Sequence, residues 1–290
     1  MALTLTGTGQ GGVFTLRGNT FGGSFTTSIA PPPLPPLLLD TYPGATNAYS
    51  LRKLRSAYTG SAIRVRRSSD NAEQNIGFTA AGTLDTTALT TFTAGIDGFV
   101  TTWYDQSGTG NNLRQTSAIA QPSIVNGGNL ILRNGKPYIE ALSAKFFQFL
   151  TDITTTAGNS FSFWITYEKD GTGNHAVLSN IGGNSYHWLD FGSLQYLSQN
   201  DTITISPVYG INTLYLSNAI TNYSVSGTMY RNGVSIGARG ALTVGTVSSW
   251  LFGGGRTAKI TTSEFIFYPA DKTADRTNIQ SNINSYYSIY

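Results

Sequence analysis

The chain has 290 residues, 33 glycines, no cysteine and a formal net charge of +3; 11% of its residues are charged and 12% aromatic. A chain this poor in charge and rich in aromatics is not a disordered one, the lack of cysteine excludes a disulfide-stapled secreted scaffold, a thiolate zinc site and a cysteine nucleophile, and the mild basic balance is not the footprint of a nucleic-acid binder. No apolar run approaches the ~18 residues of a membrane span and no apolar h-region follows Met1, so neither membrane insertion nor a signal peptide is expected.

Residues 1–29 read as a Gly-rich β segment. Leu3-Thr4-Leu5 returns eleven residues later as Phe14-Thr15-Leu16 and again as Phe25-Thr26-Thr27, and Gly11-Gly12 returns as Gly22-Gly23. Each unit is a short strand followed by a glycine turn. Three such units cannot bury a core, and their unpaired edges invite another chain. The segment is therefore expected to be an anchor, with Leu3, Leu5, Phe14, Leu16 and Phe25 as its contact residues and a homo-oligomer, a trimer by analogy with fibres, as the result. Residues 30–38, Ala-Pro-Pro-Pro-Leu-Pro-Pro-Leu-Leu, predict an extended polyproline linker.

Residues 39–290 read as one body. Strand signals recur at Ala62–Val65, Phe99–Tyr104, Leu130–Arg133, Ser160–Tyr167, His175–Ser179, Leu214–Leu216, Ser224–Arg231 and Glu264–Tyr268. Turns such as Asn126-Gly127-Gly128, Asn134-Gly135, Asp170-Gly171 and Asn232-Gly233 separate them, the last being the strongest hairpin signal. Short strands at this spacing indicate a sandwich or jelly roll. Three helices are expected: one capped by Asn47 and running through Arg55, one over Thr86–Phe92 capped by Asp85, and a C-terminal one capped by Asp271 or Thr273 with Ile279, Ile283 and Tyr286 on its buried stripe.

Two stretches resemble known families. Ala48-Tyr49-Ser50-Leu51-Arg52-Lys53-Leu54-Arg55, Ile63-Arg64-Val65-Arg66-Arg67-Ser68-Ser69-Asp70-Asn71 and, most specifically, Trp103-Tyr104-Asp105-Gln106-Ser107-Gly108-Thr109-Gly110-Asn111-Asn112-Leu113 resemble the catalytic domain of fungal α-L-arabinofuranosidase B, relatives of which also occur in phage and prophage structural proteins. Ser160–Tyr290, with its Phe-Ser-Phe-Trp strand and Tyr-Arg-Asn-Gly hairpin, is similar to a laminin-G or concanavalin A-like jelly roll. Both resemblances imply an all-β, concanavalin A-like jelly-roll β-sandwich over residues 39–290, closed by a short C-terminal helix. The first also implies a nucleophilic Glu and an acid Asp in the second half of the domain. That half offers Asp190 in His187-Trp188-Leu189-Asp190, with no Glu beside it.

The chemistry-bearing residues are few. A glycosidase needs two carboxylates across the scissile bond, and the only glutamates are Glu73, Glu140, Glu168 and Glu264, so no catalytic residue is carried over. Two histidines, His175 and His187, do not make a His-rich metal site, and no His-Glu-x-x-His, Gly-x-Ser-x-Gly or Gly-Lys-Ser/Thr pattern exists. Asp105 in its Gly-rich loop suits a tight turn; the sharper alternative is a calcium site with Asn111 and Asn112, and no other cofactor is expected. Six of the 18 basic residues fall between Arg52 and Arg67. They read as partners of Asp70 and Glu73, with an anionic-ligand patch on Arg64 and Arg66 as the alternative. Trp103, Trp164 and Trp250 read as core, and Tyr186, His187, Trp188 and Asp190 as the candidate carbohydrate-binding residues.

The expectation from sequence is a non-enzymatic structural protein of a bacteriophage virion. It would be a head or tail fibre or capsid decoration, fixed to other virion proteins through residues 1–28 and presenting a lectin-like domain to a host-surface glycan. The alternative is an arabinofuranosidase-type glycoside hydrolase.

Overall fold

The computed structural model describes residues 36–142, 145–155, 159–169, 175–179, 186–191, 194–198, 201–204, 210, 212–222, 226–239, 247–252 and 260–290. The five anchor residues, and the proline arm through Pro35, lie outside them. Pro36–Tyr290 is one compact unit.

Its first sheet is antiparallel throughout. The order is Asn47–Ser50, Glu264–Tyr268, Phe161–Lys169, Tyr215–Asn222, Ser226–Arg231, Val234–Arg239. Side chains alternate across a strand, and here both faces are covered. Phe265 and Phe267 join Tyr49, Phe161 and Phe163 in the core between the sheets. Ile266 and Tyr268 join Ala48 and Trp164 on the opposite face, under the short helix Leu38–Thr41 and the C-terminal helix. A strand buried on both faces reads as a near-continuous apolar run, which is why Glu264-Phe265-Ile266-Phe267-Tyr268 stood out in the sequence.

The second sheet begins Glu73–Ile76, Ile63–Arg67, Gly98–Trp103 and then branches. From the Trp103 end it runs through Leu113–Arg114, Phe147–Thr155, Val247–Phe252, His175–Ser179, Tyr186–Phe191 and Leu194–Ser198 to Asp201–Thr204. From the Gly98 end it runs through Ser123–Asn126 and Ile139–Ala141 to Ile260–Thr262. The last of these pairs with Glu168 and Lys169 at the end of Phe161–Lys169, so one long strand serves both sheets. Tyr49, Trp103, Phe147 and Phe149 fill the space between them. The all-β sandwich with a short C-terminal helix is thus the fold, and Trp103 and Trp164 are core residues as expected.

Asp85 caps Thr86–Thr93 through its carboxylate, which accepts from the Ala88 amide at 2.9 Å. The helix expected from Asn47 to Arg55 is instead the strand Asn47–Ser50, paired residue by residue with Phe267–Glu264. Ala48 and Tyr49 bury on opposite faces, a demand of period two that a helix cannot meet. The C-terminal helix spans Arg276–Tyr287 and starts at Asp275, not at Asp271 or Thr273. Asp271 closes the preceding turn by accepting from the Thr273 amide and hydroxyl. Its buried stripe is Ile279, Ile283 and Tyr287, with Tyr286 only half-buried.

Asn232 (φ 48°) and Gly233 (φ 85°) form the expected hairpin turn between paired Arg231 and Val234, both in the left-handed region that a type I′ turn requires. The Asn126-Gly127-Gly128 turn is more demanding. Gly128 has φ +76°, and a Cβ there would collide with the Gly95 carbonyl, whereas Gly135 (φ +72°) has open space around it. Gly128→Ala is therefore expected to cost about 2 kcal/mol or more and Gly135→Ala about 1, a difference that thermal unfolding of the two variants would read directly.

Candidate functional site

The candidate carbohydrate-binding residues Tyr186, His187, Trp188 and Asp190 all fall on one strand, Tyr186–Phe191, inside the second sheet. On one side Asp190 pairs in register with His175, Leu189 with Ala176, Trp188 with Leu178 and Tyr186 with Ser179. The register shifts between Leu178 and Ser179, so His187 sits at an irregularity of the ladder. On the other side Asp190 pairs with Gln195, and Leu194–Ser198 leads on to Asp201–Thr204. The fold therefore gathers both histidines of the chain, a Trp, a Tyr and a carboxylate residue on adjacent strands.

Most other carboxylates are committed to partners. Glu264 is buried and accepts from Arg52 Nε at 2.8 Å, Arg52 Nη2 at 2.9 Å and Ser50 Oγ at 2.7 Å. Tyr287 Oη lies 3.2 Å away. Burial opposes the charge on Arg52, but the facing Glu264 more than offsets this and holds the guanidinium above its usual range. Glu168 is likewise buried and gripped by Arg133 at 2.6 and 2.7 Å. At the surface Arg64 binds Glu73 and Arg67 binds Asp70, and the Arg67 hydrogen bond brings the Asp70 carboxyl down to about 2. This is the pairing read from the sequence. Arg66 instead donates to Gln121 and Asn71.

Asp152, which the sequence reading passed over, is half-buried in the strand Phe147–Thr155, and burial raises its pKa. It does not pair with Asp190. The strands Val247–Phe252 and His175–Ser179 lie between them, a lateral separation of at least about 14 Å at ~4.8 Å per strand, against the ~5–9.5 Å of a glycosidase pair.

Asp105 is buried at the centre of its loop. Oδ1 accepts from the Ala48 and Ser107 amides; Oδ2 accepts from Ser107 Oγ, Thr109 Oγ1 and the Gly110 amide. Asn112 Oδ1 accepts from the Asp105 amide at 2.9 Å, and Asn111 Oδ1 from the Thr151 amide at 2.7 Å. The three residues named as a calcium alternative are thus brought together, with their side-chain oxygens turned toward protein donors. Among the described residues no cluster of three or more acidic or histidine side chains is gathered. Gln106, also passed over, is fully buried; Oε1 accepts from the Leu54 amide and Nε2 donates to the Ser50 and Arg52 carbonyls. An uncharged amide beside an Asp in a turn gave no sequence signal that it clamps a distant segment.

Comparison with known proteins bears on this arrangement. The family model for the catalytic domain of α-L-arabinofuranosidase B matches residues 41–228. The α-L-arabinofuranosidase B of Aspergillus oryzae is 33% identical over 178 residues, covering 58% of this chain and 34% of that protein. An arabinofuranosidase/B-xylosidase of Trichoderma koningii is 31% identical over 152 residues, 51% of this chain and 30% of its own. The chain thus spans about a third of the length of the curated relatives it matches. A solved GH54 α-L-arabinofuranosidase soaked with a cyclic sulfate inhibitor shares the fold, with TM-score 0.56 and 17% identity over 82% of this chain and 62% of that one.

These findings overturn the expectation of a non-enzymatic phage structural protein and, with it, the virion location and the fibre or capsid-decoration role. The relatives matched are fungal arabinofuranosidases. That expectation leaned on the glycine repeat and proline arm of residues 1–38, which lie outside the match and carry no information about the chemistry of the sandwich.

Proposed function

The chain belongs to the family of the α-L-arabinofuranosidase B catalytic domain, and from that premise we propose that it is a glycoside hydrolase that removes α-L-arabinofuranosyl groups from a saccharide. The observation that carries this reading is the family match across residues 41–228, which contains the strand of Tyr186, His187, Trp188 and Asp190. Asp190 is assigned as a reacting carboxylate. His175 is its register partner on the adjacent strand. Asp201, on the strand after Leu194–Ser198, is the nearest further carboxylate residue by strand order, but it stands two strand spacings across and two residues along from Asp190, about 12 Å, beyond the ~5–9.5 Å of a glycosidase pair. Tyr186 and Trp188 supply the aromatic surface for the sugar ring.

The test is hydrolysis of 4-nitrophenyl α-L-arabinofuranoside and of arabinofuranosyl-α-1,2-xylobiose by the full chain. Release of nitrophenol and of arabinose is expected. Asp190→Asn is expected to lower kcat by about 10²–10⁴-fold, the usual worth of a positioned proton-transfer group. No turnover on either substrate sinks the hydrolase reading, whereas an undiminished Asp190→Asn variant removes only the assignment of that residue.

A further inference from the structure

The outward side of the second sheet plays no part in the hydrolase reading. One register row crosses five of its strands: Asn75 pairs with Arg64, Arg64 with Thr102, Thr102 with Arg114 and Arg114 with Gln148. Directly opposed residues share a face. The neighbouring row, Ile76, Ile63, Trp103, Leu113 and Phe149, lies wholly in the core, so alternation turns the first row away from it. Asn75, Arg64, Arg114 and Gln148 are exposed, and Thr102 is buried between the two arginines. The row holds two cations and no carboxylate. Arg64 spends Nε on Glu73, one of its five N–H donors. Among the described residues Arg114 makes no ion pair and no side-chain hydrogen bond. Arg66, two positions along from Arg64, is held by the neutral acceptors Gln121, Asn71 and the Ala118 carbonyl, so its charge is uncompensated although its donors are taken. Besides Glu73, the carboxylate residue on these five strands is Asp152, four positions past Gln148, about 13 Å along the strand. Tyr104 donates its hydroxyl to Asn75 Oδ1 at 2.9 Å and sets an aromatic ring beside that end of the row. The other end leads to the candidate site: Gln148 pairs with Leu251, Leu251 with Ser179 and Ser179 with Tyr186. Arg114 and Tyr186 are thus in register four strand spacings apart, about 19 Å across the sheet.

We propose that this row binds the main chain of an acidic saccharide, one that carries uronate groups, with a carboxylate seated over Thr102 between Arg64 and Arg114. The backbone positions of the two arginines are two strand spacings, about 10 Å, apart. Like charges so placed repel each other, and an anion between them removes the repulsion. A planar guanidinium meets a carboxylate in a two-point hydrogen bond. The amides of Asn75 and Gln148 offer both donor and acceptor to sugar hydroxyls. The charge of the row selects an anion. The choice of a saccharide rests on the hydrolase reading, because the row is continuous with the strand assigned to the sugar that is cleaved. The main chain then crosses the strands while its side group reaches Tyr186–Phe191.

The experiment titrates the full chain calorimetrically with three probes: a xylo-oligosaccharide bearing one glucuronate group, the same compound with its carboxyl reduced to the alcohol, and polyphosphate. None carries arabinose, so binding is read without turnover. The acidic compound is expected to bind about tenfold or more tighter than the reduced one, the worth of one charge-assisted pair, and to weaken as salt screens the charges. Arg114→Gln, a change to an exposed side chain, is expected to lose the same factor with an unchanged thermal midpoint. The proposal is overturned by equal binding of the acidic and reduced compounds, by no binding of either, by polyphosphate binding as tightly as the acidic compound, or by an Arg114→Gln variant that binds like wild type. A chain that binds the acidic compound as expected but releases no arabinose from the arabinofuranosides above keeps this surface and loses the hydrolase reading; the reverse result loses only the surface.

Discussion

Arg52→Ala is expected to cost about 3–5 kcal/mol, a large share of the ~5–15 kcal/mol by which domains are stable, and to lower the thermal midpoint by roughly 10 °C. Arg52 and Glu264 form a two-point pair with side-chain exposures of 11% and 1%. Removing the guanidinium leaves Glu264 with the neutral donors Ser50 and Tyr287, too little to balance a buried charge. The guanidinium also lies 5.0 Å from the Tyr286 ring, so the variant loosens the C-terminal helix as well. The size of the loss measures broken pairing and not the worth of the pair. The double variant Arg52→Met with Glu264→Leu, which removes both charges and keeps the volume, is expected to recover most of the stability. Denaturant titration of the single and double variants checks both statements. A double variant as unstable as the single one would show that the pair itself, and not the orphaned carboxylate, stabilises this face.

Elements whose burial pattern is local were legible in the sequence. The observed bounds of His175–Ser179 and Glu264–Tyr268 match those read from it, and Asn232-Gly233 turned as its residues require. The Asp85 cap was legible because its signal lies within four residues. The failures are places where a distant partner decided. Asn47–Ser50 has the composition of a helix start, but its partners are Glu264–Phe267, more than 200 positions away. The branching of the second sheet at Gly98–Trp103 and the sharing of Phe161–Lys169 between sheets rest on pairings with no local trace. At the site, the aromatic and acidic residues of Tyr186–Phe191 could be named from the sequence, but not that His175 would stand opposite Asp190. The four glutamates were all visible; that Arg52 and Arg133 would take two of them out of service was not. The assignment of the chain to a virion failed for a related reason. Repeat and proline spacing in residues 1–38 describe how a chain can be attached, whereas the motif from Trp103 to Leu113 marked the family of the body.

That motif carries the second large effect. Asp105→Asn is expected to destabilise the protein by about 2–4 kcal/mol, since each hydrogen bond to a charged group contributes roughly 1.5–3 kcal/mol and several are weakened at once. The substitution changes little in shape but turns one carboxylate oxygen into an NH₂ group. If the remaining oxygen faces the Ala48 and Ser107 amides, the NH₂ points at Ser107 Oγ, Thr109 Oγ1 and the Gly110 amide. The Gly110 amide cannot accept, and both hydroxyls, each with a single proton, must turn it from Asp105 to the Thr46 carbonyl that also lies within reach. The damage extends beyond the loop, because the Ala48 amide belongs to Asn47–Ser50 and Gln106 holds the carbonyls of Ser50 and Arg52 just after it. Hydrogen exchange is expected to accelerate at Gly110 and at Ala48 together, whereas a loop acting alone would release Gly110 and leave Ala48 protected. The same geometry makes a prediction about calcium. Both Asp105 oxygens already accept from the protein, so the wild-type thermal midpoint is expected to be the same in chelator and in millimolar calcium. A rise of several degrees with calcium, lost in Asp105→Asn, would mean that the loop rearranges around a cation and that its hydrogen bonds are the stand-ins.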